Sequence, residues 1–177
     1  MTPWQKHRAK WKNCMQCPLH KTRSRIVLAR GRVPCDVLFI GEAPGLSEDA
    51  LGIPFCGPAG HLLNGVIDIA LDGQYDYALT NLVACIPKEE SGGGKLGDPP
   101  EASIIACAPR LVEFINLCRP KVVVRVGKLA EKYVESPRKG QVVSIVHPAA
   151  ILRMDVGQQG LAIKRCIVTL EEASEGL

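Results

Sequence analysis

Val37-Leu38-Phe39-Ile40-Gly41-Glu42-Ala43-Pro44-Gly45 is the stretch whose reading decides the fold. Four apolar residues running into a glycine predict a buried parallel strand, because a strand covered on both faces shows no polar alternation. The glycine-rich turn then sits at its carboxyl end. Downstream, residues 61–71 place Leu62, Leu63, Val66, Ile67 and Ala70 at helical spacing, and Asp72-Gly73 marks a turn. Residues 77–83 predict a second strand, residues 100–116 a helix opened by Pro99-Pro100-Glu101, and residues 121–127 a third strand. A short helix over 128–134 and a fourth strand over 141–146 follow. That strand runs into His147-Pro148, and residues 161–172 predict the last helix. Strands alternating with helices predict an α/β domain of three layers, α/β/α, around a central, mainly parallel four-stranded sheet. Sites in such sheets lie beyond the carboxyl ends of strands, where Glu42, Asn81 and His147 all fall.

The chain of 177 residues fits a single domain over 1–177, large enough to bury roughly 70% of the surface its unfolded form exposes without disulfides. Its 46% hydrophobic and 23% charged residues are ordinary for a soluble protein, and no run approaches the roughly 20 apolar residues of a membrane span. The basic polar start shows no secretory pattern, so a cytoplasmic location is expected, with a monomer as the working state. A net charge of +4 is mild, but its distribution is not even. From Lys6 to Arg32 the chain carries nine lysines and arginines, together with His7 and His20, and the first acidic residue is Asp36. Such a run is either a solvated face or a phosphate-contacting one.

Eight cysteines in a reducing compartment argue for metal or cluster ligation over disulfides. Cys14-Met15-Gln16-Cys17 is a CxxC pair, and Cys85 and Cys107 supply a possible second pair. Spacing alone leaves zinc and an iron-sulfur cluster equally open. Cys35, Cys56, Cys118 and Cys166 remain, and an unpaired cysteine is most often a small buried apolar residue.

Gly41-Glu42-Ala43-Pro44-Gly45, Glu48-Asp49, Gly52-Ile53-Pro54-Phe55, Gly57-Pro58-Ala59-Gly60 and Leu62-Leu63 together resemble the first motif of the family 4 uracil-DNA glycosylases. Thr80-Asn81-Leu82-Val83-Ala84-Cys85, Arg119-Pro120-Lys121-Val122-Val123-Val124 and His147-Pro148-Ala149-Ala150-Ile151-Leu152-Arg153 match its later landmarks in order. The resemblance spans Cys14 to Arg153. It implies a 4Fe-4S cluster held by Cys14, Cys17, Cys85 and Cys107, structural in role, and uracil-containing DNA, single- or double-stranded, as partner. The implied reaction is hydrolysis of uracil's N-glycosidic bond in base excision repair, leaving an abasic site.

Breaking that bond develops an oxocarbenium-like sugar and a uracil anion, and the base must first be flipped into a pocket. The resemblance implies that His147 donates to a uracil carbonyl oxygen, Phe55 stacks on the base, and Asn81 pairs with its O4 and N3 edge. Glu42 is the candidate for orienting the attacking water, with Glu48 and Asp49 as alternatives whose ordinary role is helix capping. Gly41 and Ala43 belong to the base pocket. Gly57 and Gly60, with Gly45, allow close backbone approach to base or phosphate, and Ala150 and Arg153 belong to a loop expected to press on DNA.

Three departures from the family pattern stand out. Family 1 enzymes carry an aspartate where this chain has Ala43, and Ala149 stands where family 4 commonly has serine. The stretch 86–100, which includes the loop 91–97, replaces a proline- and arginine-bearing segment with Lys88-Glu89-Glu90-Ser91-Gly92-Gly93-Gly94-Lys95, and Gly92-Gly93-Gly94-Lys95 lacks the spacing of a phosphate loop. Two other functions fit the same residues: a glycosylase for another deaminated or modified base, and a non-catalytic iron-sulfur DNA-binding protein.

Overall fold

The computed structural model describes residues 1–88, 96–135 and 140–177. Most of the loop singled out above, residues 91–95, therefore lies outside the described residues. The four expected strands are present as β2 (Val37–Gly41), β3 (Tyr77–Asn81), β4 (Val122–Val126) and β5 (Gln141–Ile145). They pair in parallel, β3 and β4 on either side of β2, and β5 outside β4. A fifth strand corrects the expected count: β1 (Ala29–Gly31) joins the outer edge of β3 antiparallel, giving the order β1-β3-β2-β4-β5. Three residues ending in glycine leave no periodic signal to read. Gly31 is required there because a Cβ would meet the backbone of Tyr77 and Ala78.

Every residue of β2 is buried, as the unbroken apolar run demands. Alternate residues divide between the two faces. Val37, Phe39, Leu79, Val122 and Val124 pack with Leu63, Ile67 and Leu170, from α3 (Pro58–Leu71) and α7 (Val156–Ser174). Leu38, Ile40, Ala78 and Val123 pack on the other side with Ile104, Leu111 and Phe114, from α4 (Glu101–Cys118). Three layers result.

Three helices fall outside the sequence expectation. The basic N-terminal segment contains α1 (Pro3–Trp11), started by a capping box between Thr2 and Gln5 and buried through His7 and Trp11. Trp4 lies on Phe114 of α4 with ring centroids 5.2 Å apart, and Glu113 of α4 accepts from Trp11 Nε1 and pairs with His7 and Lys10. Two short helices, α2 (Leu46–Leu51) and α6 (Pro148–Ile151), follow the strand ends that carry the site. The remaining helix, α5 (Lys128–Tyr133), follows β4. At the opposite rim, turns with left-handed residues precede three strands: Asp72 and Gly73 before β3, Arg119 before β4, and Gly140 before β5. Among the described residues, no helix is long and apolar enough to cross a membrane.

Candidate active site

The carboxyl ends of β2, β3 and β5 open into one cleft. Glu42, Ala43, Phe55, Gly60, Asn81 and His147 line it together, so most of the proposed base-handling residues are brought to one place. A contiguous groove shares Glu42 and His147 and continues past Ala150 and Arg153. Leu96, Gly97 and Asp98 form part of both walls, so the end of the unusual loop does reach the site.

Gly41, the last residue of β2, is the floor. A Cβ there would stand 2.5 Å from Asn81 Oδ1 and 2.5 Å from the Phe55 ring, so the absence of a side chain lets these two groups share the pocket. Phe55 holds a left-handed backbone, φ 54°, which is costly for a residue with a bulky side chain. Arg30 of β1 holds it: Nε donates to Pro54 O at 2.8 Å, while Nη2 reaches Phe55 O at 3.5 Å and Asn64 Oδ1 at 2.6 Å. Gly60 has a packing role, because any Cβ would collide with the Phe55 backbone. Part of the basic run is thus turned inward.

His147 caps α6. Its Nδ1 accepts from the Ala149 backbone N–H at 3.1 Å, which places the proton of the neutral ring on Nε2. Burial lowers the imidazole's pKa; the nearby Glu42 charge opposes that shift and Arg153 adds to it. Glu42 is held by the start of α5, its Oε1 accepting from Leu129 N–H at 3.2 Å. Gly127, at φ 96°, leaves room for the carboxylate, since a Cβ would come within 2.5 Å of Oε1.

The alternative carboxylates are occupied. Glu48 lines the cleft, but its Oε2 accepts from Gly45 N–H at 3.1 Å and its Oε1 from Gly57 N–H at 2.8 Å. The Gly45 and Gly57 amides therefore point at Glu48, contrary to the expectation that they approach base or phosphate. Asp49 is buried away from the cleft. It accepts from the amides of Ser24 and Arg25 and pairs with Lys88 Nζ at 2.7 Å.

Behind β3, Cys14, Cys17, Cys85 and Cys107 line a second cavity together with Arg23 and Arg110. Arg23 Nη1 donates to Cys85 Sγ at 3.1 Å. Burial raises the Cys85 thiol's pKa, Arg23 opposes it, and Cys107 and Cys17 lie near enough to add to the rise. Among the described residues, no three His, Cys, Asp or Glu side chains converge as a ligand set for one metal ion. Of the other cysteines, Cys35, Cys118 and Cys166 are buried and Cys56 is half-buried.

Arg110, which lines the cysteine cavity and bonds to the end of β3, is a buried residue the sequence did not reveal. It is 1% exposed, its Nη1 donates to Thr80 Oγ1 at 2.9 Å, and its Nη2 to Asn81 O at 2.6 Å and Leu82 O at 2.9 Å. Among the described residues, Nε is buried with no partner. Its position three residues after Cys107 was the available signal, since one helical turn puts both on the same face.

Residues 29–170 match the model of the uracil DNA glycosylase superfamily. The chain is 36% identical to a type-4 uracil-DNA glycosylase of Pyrobaculum aerophilum over 121 residues, which are 68% of this chain and 59% of that one. It is 37% identical to one of Saccharolobus solfataricus, over 69% of this chain and 54% of the relative. With the type-4 enzyme of Archaeoglobus fulgidus it shares 30% identity over 79% of this chain and 78% of the relative. The matched part spans little more than half the length of the first two. The chain belongs to the uracil DNA glycosylase superfamily, within its type-4 group.

Proposed function

We propose that this chain is a uracil-DNA glycosylase that takes a flipped uracil into the Gly41–Phe55–Asn81–His147 cleft and hydrolyses its N-glycosidic bond. The observation that carries the proposal is the state of His147: Nδ1 accepts from Ala149, so Nε2 is the donor. A neutral imidazole fixed in this way offers one N–H to the carbonyl oxygen where negative charge grows as the bond breaks. Phe55 supplies a stacking face. Asn81 discriminates, because its amide can donate to O4 and accept from N3–H, whereas cytosine presents an amine and a lone pair at those positions. Glu42, fixed by Leu129, is the group placed to orient the attacking water, and Ala43 leaves it without a neighbouring carboxylate in the same turn. The chain would act as a monomer, with the DNA backbone following the groove past Ala150 and Arg153.

The cysteine cavity fits an iron-sulfur cluster. Four thiols lining one cavity supply the donor set that a cubane requires. The partnerless Nε and buried positive charge of Arg110 beside them suit an anionic group. Cys14, Cys17, Cys85 and Cys107 would hold the cluster, which would cross-link α1's end, the β3 loop and α4 and supply negative charge there. A uracil-containing oligonucleotide treated with the protein and then with alkali tests the activity. Strand scission at the uracil is expected, with none from His147→Ala protein. An intact strand with uracil and scission with another modified base would assign the chain to that base instead.

A further inference from the structure

We propose that Arg110 is a positioning residue through which the cysteine cavity holds the base-reading end of β3. The inference rests on the uracil and cluster readings above. Its structural basis is a buried guanidinium with two engagements. The guanidinium makes three hydrogen bonds, to the Thr80 side-chain Oγ1 and to the backbone carbonyls of Asn81 and Leu82, which tie the residue that reads the base and both its neighbours. The residue also lines the cavity of the four cysteines, and among the described residues its Nε has no partner.

The charge balance is what connects the two engagements. Among the described residues, no carboxylate lies within ion-pair distance of Arg110. Glu113, one turn further along α4, is already bound by His7, Lys10 and Trp11. A buried cation without a counter-charge is strongly unfavourable, so a guanidinium kept at this position needs an anion. Four thiolates around a cluster leave net negative charge in the adjacent cavity and offer sulfur acceptors to Nε. With that charge present, Arg110 is stable where it stands and Asn81 is held. Without it, the guanidinium is driven toward water and its grip on the Asn81 and Leu82 carbonyls is lost. The cluster thus acts on base recognition as a fixed charge, and no electron transfer is involved.

Three measurements on the iron-loaded protein test this. Arg110→Met removes a positive charge beside the cluster, so the cluster's midpoint potential should move to a more negative value. Arg110→Lys keeps the charge but loses the fork. Its potential should stay near wild type, while kcat on uracil DNA falls about 10- to 100-fold with KM little changed, as for a misplaced positioning group. The third measurement needs no variant: removing iron from the wild-type protein should accelerate amide exchange over residues 80–83 more than over β4. An unchanged potential in Arg110→Met overturns the proposal. If that variant does not fold, unchanged exchange at 80–83 on iron removal, or a wild-type kcat in Arg110→Lys, overturns it. Wild-type protein that holds no iron or releases no uracil defeats the underlying readings instead, a distinct result.

Discussion

The backbone N–H of Ala149 donates to Nδ1 of His147 at 3.1 Å, so a backbone amide two residues along the chain sets the histidine's tautomer. If His147 works through Nε2–H, His147→Ala removes one donor aimed at a developing anion. Excision in single-turnover assays should fall about 10²- to 10³-fold, with little change in DNA binding.

Acid should weaken the same residue. Burial lowers the His147 pKa from its ordinary 6.5, and burial does the same at His7 despite the opposing Glu113. Both rings stay neutral in the folded chain at pH values where an unfolded histidine is already protonated. Their stabilisation is complete above 6.5 and is lost as pH falls through the lowered folded values. Thermal midpoints measured from neutral to mildly acidic pH should decline, and less steeply in a His7→Phe, His147→Asn double variant.

Glu42→Gln keeps an oxygen able to accept from Leu129 N–H and removes the charge. The fold should be retained, with kcat lowered about 100-fold and KM nearly constant. A variant with full kcat would remove Glu42 from the reaction.

Two glycines give a paired test. Gly41→Ala puts a methyl 2.5 Å from Asn81 Oδ1 and the Phe55 ring, and should cost about 1–3 kcal/mol of stability together with most uracil binding. Gly65→Ala, inside α3 with nothing within 4 Å of its new Cβ, should raise stability by up to about 1 kcal/mol and leave excision unchanged.

Asp49 ties the Ser24-Arg25 turn to Lys88. Burial pushes its carboxyl up, but Lys88 and the two amides outweigh burial and hold it below the usual carboxylate range. Asp49→Ala strands three donors and should cost about 3 kcal/mol in urea unfolding.

The strands were legible because burial on both faces turns β2 into an unbroken apolar run and β4 into one interrupted only by Arg125. Residues 61–71 and 100–116 were legible from their helical spacing. The helix α1 was not, because its inward face is built from Trp4, His7 and Trp11 among Gln5, Lys6, Arg8 and Lys10, which reads as a basic surface. Glu42, Asn81 and His147 could be grouped from strand ends alone. The partners that fix them were invisible, since Leu129 N–H, Ala149 N–H and the Asn81 carbonyl are backbone groups with no residue signature. Arg30 and Arg110 show the same limit: an arginine's letter does not say whether its guanidinium faces water or a buried carbonyl.

The left-handed turns at Asp72-Gly73, Arg119 and Gly140 all precede strands, on the rim facing away from the cleft. That separation makes the molecule two-ended for evolution and for engineering. Attachments made at the Asp72-Gly73 turn, where a Cβ on Gly73 meets nothing within 4 Å, would enter far from the residues that line the cleft, so this chain can gain a new appendage there without renegotiating its chemistry.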